Sequence, residues 1–284
     1  MCVRGVNSEV IAEESISMET SPALRALQAF AQYDSLRLST YRDCEPAHAR
    51  VLIEQAFGAT LLYFDEVSYF NRIYALDEAI AGHLDHVEAF YGDSPFGCEL
   101  VSVTGDKGPL AEACLKRGWL PSHRYAWLHV KTGEPEVNDE YPGISIRQPL
   151  PQERIAFLEF YLRGFEAPEA KFPAAIRNMR HLFELPQLHF LIASREGRDA
   201  AIGMLCVFGE TALLAAGATL PEERWHGCHH ALIAARIRLA RSLGCGEIVS
   251  FAYAGGQSHL NMESMGLRTV IVTQAWRFKG AVHS

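Results

Sequence analysis

The chain has 284 residues, 49% hydrophobic and 21% charged, a mixture ordinary for a globular protein of roughly two domains at about 150 residues each. No apolar run approaches the roughly 18–20 residues that cross a bilayer; the longest candidates, such as Ala212–Leu220, have strand length, which argues against a membrane-spanning protein. The net charge of −8 is uneven: residues 1–140 hold 11 Lys and Arg against 22 Asp and Glu, and residues 141–284 hold 15 against 12. That distribution lacks the clustered basic footprint of a nucleic-acid binder but suits a small anionic ligand held by the second half.

Along the chain, residues 1–22 read as a mobile N-terminus, whose Glu9, Glu13, Glu14 and Glu19 match neither a signal nor a transit peptide. A first helix is expected from Ser21 to Tyr33 and a second over Ala47–Phe57. A hairpin-like pair follows, Ala59–Val67 and Tyr69–Leu76. Next come a helix at Glu78–Tyr91, a strand at Cys98–Val103, a helix at Gly108–Arg117 and a strand at Tyr125–Lys131. The stretch Thr132–Gly143, TGEPEVNDEYPG, reads as a linker because turn formers and carboxylates crowd it.

The second half repeats the rhythm. A strand is expected at Ile144–Gln148, helices at Gln152–Phe165 and Pro168–Phe183, and three strands at His189–Arg195, Ala201–Phe208 and Ala212–Leu220. A helix over Cys228–Leu243 carries an apolar stripe of Leu232, Ala235, Leu239 and Leu243, before a strand at Glu247–Tyr253, a helix at Gln257–Met265 and a strand at Arg268–Phe278. Leu115-Lys-Arg-Gly118-Trp119 and Ser264-Met-Gly266-Leu each end a short helix with glycine ahead of a final strand, which suggests a duplication. The division is then a first domain at 23–131, a linker at 132–143 and a second domain at 144–284, each an α/β (α+β) layer structure.

The seven cysteines are scattered and form no C-x-x-C pair, so reduced thiols in a cytoplasm are the simplest reading. The chemistry concentrates in Ala218-Thr-Leu220-Pro-Glu-Glu-Arg224-Trp-His-Gly227-Cys-His-His230. A strand ends, a turn follows and a helix starts, so successive N–H groups and the helix dipole cradle an anion, with Gly227 allowing close approach and Arg224 adding charge. The spacing is neither a Walker A loop nor a dinucleotide fingerprint.

This stretch resembles the GCN5-related N-acetyltransferase superfamily, whose R/Q-x-x-G-x-G/A loop reads here Arg224-Trp-His-Gly227-Cys-His229. The following Ala231–Arg236, Gly244-Cys-Gly246, strand, and Ser258–Leu267 keep the family's order, and the likeness covers Ile144 to Phe278. The first half resembles a degenerate copy without the loop. The resemblance implies that the backbone of Ala218, Thr219 and Leu220 pairs with the pantetheine arm where two parallel strands part. It implies that Arg224, Trp225, His226, Gly227, Cys228, His229 and His230 hold the pyrophosphate of coenzyme A, with Asn261 adding to the site. The acyl carbonyl is expected near the N–H of Leu220.

Three positions depart from the family pattern: His229 replaces the loop's last small residue, Gly256 stands where an Asn is frequent, and Met262 stands where a Tyr usually protonates the leaving thiolate. For a base, Glu210, Glu222, Tyr253 and His259 are near in sequence, and Tyr253 at a strand's carboxyl end is preferred. Cys228, at a helix start, is expected to be an accessible, reactive thiol. No metal is expected, since the adjacent His229 and His230 diverge on a helix. His83 and His86 read as an exposed face, and Trp119, Trp127, Phe157 and Phe160 as core.

The expected function is acyl-CoA-dependent N-acyl transfer, acetyl-CoA serving as co-substrate and the acetyl group passing to a primary amine of a small molecule. The alternative is a non-catalytic acyl-CoA-binding or sensing protein. A homodimer is compatible with the sequence; a nucleic-acid or membrane partner is not expected.

Overall fold

A computed structural model describes residues 21–280 except 48, 105 and 139. The segment expected to be mobile therefore lies outside the described residues but for Ser21 and Pro22. Helix α1 (Pro22–Cys44) starts on Ser21, whose hydroxyl accepts the Leu24 N–H, and runs well past the expected end at Tyr33. Its later turns bury polar groups: Tyr74 donates to Asp34 at 2.6 Å, and Arg37 lies over the rings of Tyr33, Tyr69 and Phe70. That buried polarity hides the apolar stripe from a periodicity reading.

The helix expected at Ala47–Phe57 is instead strand β1 (Val51–Ala56), paired with β2 (Ala59–Phe64). Phe57 and Gly58 take φ of 51° and 68° and close a two-residue hairpin in register Ala56↔Ala59. The half continues with β3 (Arg72–Ala75), α2 (Leu84–Phe90), β4 (Cys98–Ser102), α3 (Pro109–Lys116) and β5 (Leu120–Lys131). The second half supplies β6 (Ile144–Arg147), α4 (Arg154–Gly164), α5 (Phe172–Met179), β7 (Leu188–Arg195), β8 (Arg198–Phe208), β9 (Thr211–Thr219), α6 (Cys228–Ser242), β10 (Glu247–Tyr253), α7 (Gln257–Ser264) and β11 (Arg268–Phe278).

Among the described residues eleven strands form one sheet in the order β1-β2-β3-β4-β11-β5-β10-β9-β8-β7-β6. The halves therefore exchange their last strands: β11 inserts between β4 and β5, and β5 pairs with β10 from Tyr125↔Tyr253 to Lys131↔Glu247. Among the described residues only β3·β4 and β9·β10 are parallel. The suspected duplication is visible in the caps. Trp119 N–H reaches Cys114 O and Leu267 N–H reaches Met262 O, both around a left-handed glycine, Gly118 or Gly266.

Alternation along β5 sends Tyr125 and Trp127 into a core with α1 and α4, and Ala126, Leu128 and Val130 into a core with α6 and α7. Trp119 joins a third cluster with α2 and α3. Helices thus cover both faces of the continuous sheet.

Candidate functional site

The parallel pairing of β9 and β10 lasts only from Thr211↔Glu247 to Leu213↔Val249. Beyond it β10 stays with β5 while β9 stays with β8, so the two neighbours part. A bulge at Ala215, between the pairs Met204↔Ala216 and Leu205↔Leu214, turns β9 away. Ser250 caps the fork by donating to Leu214 O at 3.1 Å.

The opening leads into a cleft of about 850 Å³. Gly217, Ala218 and Thr219 form one wall, Gly164 to Glu166 a second, and Arg224, Trp225, Gly227 and Cys228 to His230 a third. Tyr253, Gln257, Ser258 and Asn261 complete it. Of the residues expected here from sequence, Leu220 and His226 fall outside the lining. Leu220 also corrects the expected polarising contact, because its N–H is bonded to Ala200 O at 3.1 Å. Antiparallel alternation with Ala200 as its partner makes Thr219↔Ala201 and Gly217↔Gly203 the pairs that do not bond each other. The backbone N–H groups of Thr219 and Gly217 therefore face the fork.

At the mouth, Gly227 caps α6 with φ 85°, and Trp225 takes φ 70° with its side chain 82% exposed. The free N–H groups of the first helical turn open toward this loop. Arg224 reaches across to Glu166 Oε1 at 2.5 Å and to Gly164 O at 3.4 Å. Glu223 anchors the loop from below, accepting from Arg195 at 2.8 Å; that hydrogen bond holds its carboxyl below the usual range. Glu223 and the α4 end, Gly164–Glu166, were not foreseen, since their roles depend on packing between distant segments.

Cys228 corrects another expectation. It is 1% exposed, and burial followed by the nearby Glu223 charge pushes its thiol up rather than down. His229 and His230 both border the cleft; the His229 ring reaches toward Gly217, and His230 bonds Ser264 Oγ at 3.1 Å. Among the described residues no group of three His, Cys, Asp or Glu side chains converges as a metal set.

Of the base candidates, Glu210 sits in the β8–β9 turn at the far end of β9, about 30 Å of strand from Thr219. His259 is buried and committed, accepting from Gly255 N–H at 2.9 Å and touching Thr269 Oγ1 at 2.7 Å. Glu222 lies exposed in the loop outside the lining. Tyr253 alone of the four lines the cleft. It stacks on Tyr125 with centroids 5.3 Å apart and lies 4.7 Å from His123. It also borders a second pocket of about 230 Å³ shared with Tyr69, Arg72, Glu99 and Arg277. Met262 is packed in the apolar cluster beneath α6 and α7 and offers no acid.

In the first half the segment after β3 is built differently: the Asp77 carboxylate accepts the Ala79 N–H at 2.7 Å, and no counterpart of the Arg224–Gly227 loop follows the strand. His86 pairs with Glu54 at 2.6 Å and His83 stacks on Phe57, both on the surface.

No protein-family model matches the chain, and no curated protein matches it. Solved structures do. A GCN5-related N-acetyltransferase from Kribbella flavida superposes with a TM-score of 0.62 at 15% identity, covering 88% of this chain and 96% of that one. One from Sphaerobacter thermophilus gives 0.59 at 12% identity, covering 92% of each chain. A tandem GNAT protein from the clavulanic acid biosynthesis pathway gives 0.58 at 13%, covering 93% of this chain and 94% of that one. These likenesses show the fold: two units of the GCN5-related N-acetyltransferase type in tandem.

Proposed function

We propose that the chain transfers an acyl group from acyl-CoA, acetyl-CoA first among them, to a primary amine of a small molecule. The observation that carries this reading is the fork between β9 and β10, which opens beside the left-handed Gly227 at the start of α6. A pyrophosphate fits the α6 start because N–H groups there lack helical partners and Gly227 brings no Cβ. An extended pantetheine arm fits the fork because the Thr219 and Gly217 amides face it. When bound, acyl-CoA supplies a thioester open to attack by an amine.

The residues of the chain then divide the work. Arg224 and the α6 amides bind phosphate, Thr219 and Gly217 orient the arm, and the Gly217 N–H polarises the acyl carbonyl. The acceptor enters past Tyr253, the residue shared with the second pocket, so that the first half forms one wall of the acceptor site. Charge in that pocket is mixed, Arg72 and Arg277 against Glu99, and does not concentrate the acidity of the first half. Tyr253 is the proposed group for steering the amine proton away.

The second reading, an acyl-CoA sensor, is favoured by the apolar burial of Met262, which leaves that position of α7 without a proton donor. Thiol release from acetyl-CoA across a panel of amines separates the two. Amine-dependent release above hydrolysis supports transfer; saturable binding with no release supports the sensor.

A further inference from the structure

At the deep end of the cleft His229 is held in one protonation state. Its Nδ1 accepts from Asn261 Nδ2 at 2.8 Å, and Asn261 Oδ1 accepts from Gln257 Nε2 at 2.7 Å. In this orientation of the Asn261 amide the accepting ring nitrogen carries no proton, so the neutral imidazole holds its proton on Nε2. That Nε2 lies beside Gly217, 3.2 Å from where a Cβ would stand, and Arg236 Nη2 lies 3.3 Å from the same point. Desolvation, then the Arg236 charge and His230, push His229 down to about 3. The ring is therefore a neutral, oriented N–H donor throughout the physiological range.

Arg236 is the second half of the arrangement. It is 2% exposed and pairs with no carboxylate among the described residues. Its bonds go to carbonyls, of Leu232 at 3.1 Å, Met204 at 3.3 Å and Ala216 at 2.9 Å. An uncompensated buried cation is costly to keep. Here it stands behind the cleft wall, where it favours negative charge near Gly217 and disfavours a second proton on His229.

We infer that His229 is a catalytic residue of the acyl transfer, its Nε2–H donating to the thioester sulfur as the carbon–sulfur bond breaks. The inference rests on the acyl-CoA reading and adds to it the donor that Met262 cannot supply. The amine nitrogen forms its bond to the acyl carbon, and the carbon–sulfur electron pair passes to sulfur. The proton lost by nitrogen reaches sulfur through solvent, so the products are amide and thiol. The position follows from the walls: an arm entering past Gly227 meets the Thr219 amide first and Gly217 last, and His229 closes that end from the α6 side. Arg236 acts through His229 and the local field as a positioning residue.

The test uses coenzyme A bound to the full chain, with thiolate read by ultraviolet absorbance across pH. The bound thiol is expected to ionise about ten- to a hundredfold more readily on the native chain than on His229→Phe, the range of a hydrogen bond to a charged group. His229→Gln, which keeps a donor, is expected to recover part of that difference. Equal ionisation on all three, with coenzyme A bound, overturns the role of His229 and leaves the acyl-CoA reading intact. Failure of coenzyme A to bind the native chain overturns both. Nitrogen-15 shifts of His229 in the free protein give an independent check: a neutral ring protonated on Nε2 is expected, and a charged ring or an Nδ1–H form contradicts the inference.

Discussion

Gly203 and Gly217 face each other across β8 and β9, and the guanidinium of Arg236 packs over both. A Cβ at Gly203 would stand 3.1 Å from Arg236 Nε, and one at Gly217 would stand 3.2 Å from His229 Nε2. Two absent side chains on neighbouring strands thus make room for a buried cation and for the ring in front of it.

Gly203→Ala is expected to destabilise the fold by about 1–3 kcal/mol through overpacking. Gly217→Ala is expected to do the same and also to weaken acetyl-CoA binding, because it displaces a cleft residue. Denaturant unfolding together with ligand titration checks this. Equal ligand affinity in both variants would contradict the position given to Gly217.

The exchanged strands predict cooperative unfolding. Trp127 on β5 donates to Thr273 Oγ1 on β11 at 2.9 Å, and Thr273 donates to Ser102 O on β4 at 2.7 Å. Thr273→Val leaves a buried donor and a buried acceptor without a partner, at a cost of about 1–3 kcal/mol. Calorimetry is expected to show one transition moved to lower temperature. Two transitions, of which only one moves, would contradict a shared sheet.

The acid limb of stability is expected to depend on Glu247. Burial alone would raise its pKa, but hydrogen bonds from Thr211, Arg25 and His129 outweigh it and hold the carboxyl below the usual range. A depressed carboxylate contributes stability above its unfolded pKa of about 4.3 and loses it as pH falls through the folded value. Stability is therefore expected to drop below about pH 4, and Glu247→Gln to flatten that drop. An unchanged acid limb in the variant would count against this assignment.

Thiol labelling of the native protein is expected to modify the exposed Cys44 well before Cys228. Peptide mapping after brief alkylation reads the order. Early modification of Cys228 would restore the reactive thiol expected from its place at a helix start.

Most of the second half was legible in the sequence because its strands are short, nearly continuous apolar runs bounded by polar turns and α6 carries its apolar residues at helical spacing. The anion cradle was legible for the same reason: Gly227 and the helix start leave a local signature. Long-range relations were not. Pairing of β5 with β10 joins residues more than a hundred positions apart, as in Trp127↔Phe251, and no local pattern encodes it. The β1 strand was misread as a helix because Leu52, Ile53 and Ala56 share helical spacing; the Phe57–Gly58 turn decides the matter. The N–H of Leu220 looked free because strand alternation needs a register, and register comes from the partner strand. His229 looked like an obstruction in the loop, since nothing local announces Asn261 beside it.

Glu166 competes for the arginine that a phosphate would use. Glu166→Gln is expected to tighten coenzyme A binding by up to about fivefold, the scale of an exposed ion pair. Weaker binding in this variant would place the phosphates elsewhere.

Calorimetric titration of the full chain with acetyl-CoA, repeated with Arg224→Ala, tests the central claim most directly. One saturable site in the micromolar range is expected, with affinity reduced in the variant. No heat of binding at high micromolar ligand would contradict the acyl-CoA assignment and leave the tandem fold without its proposed ligand.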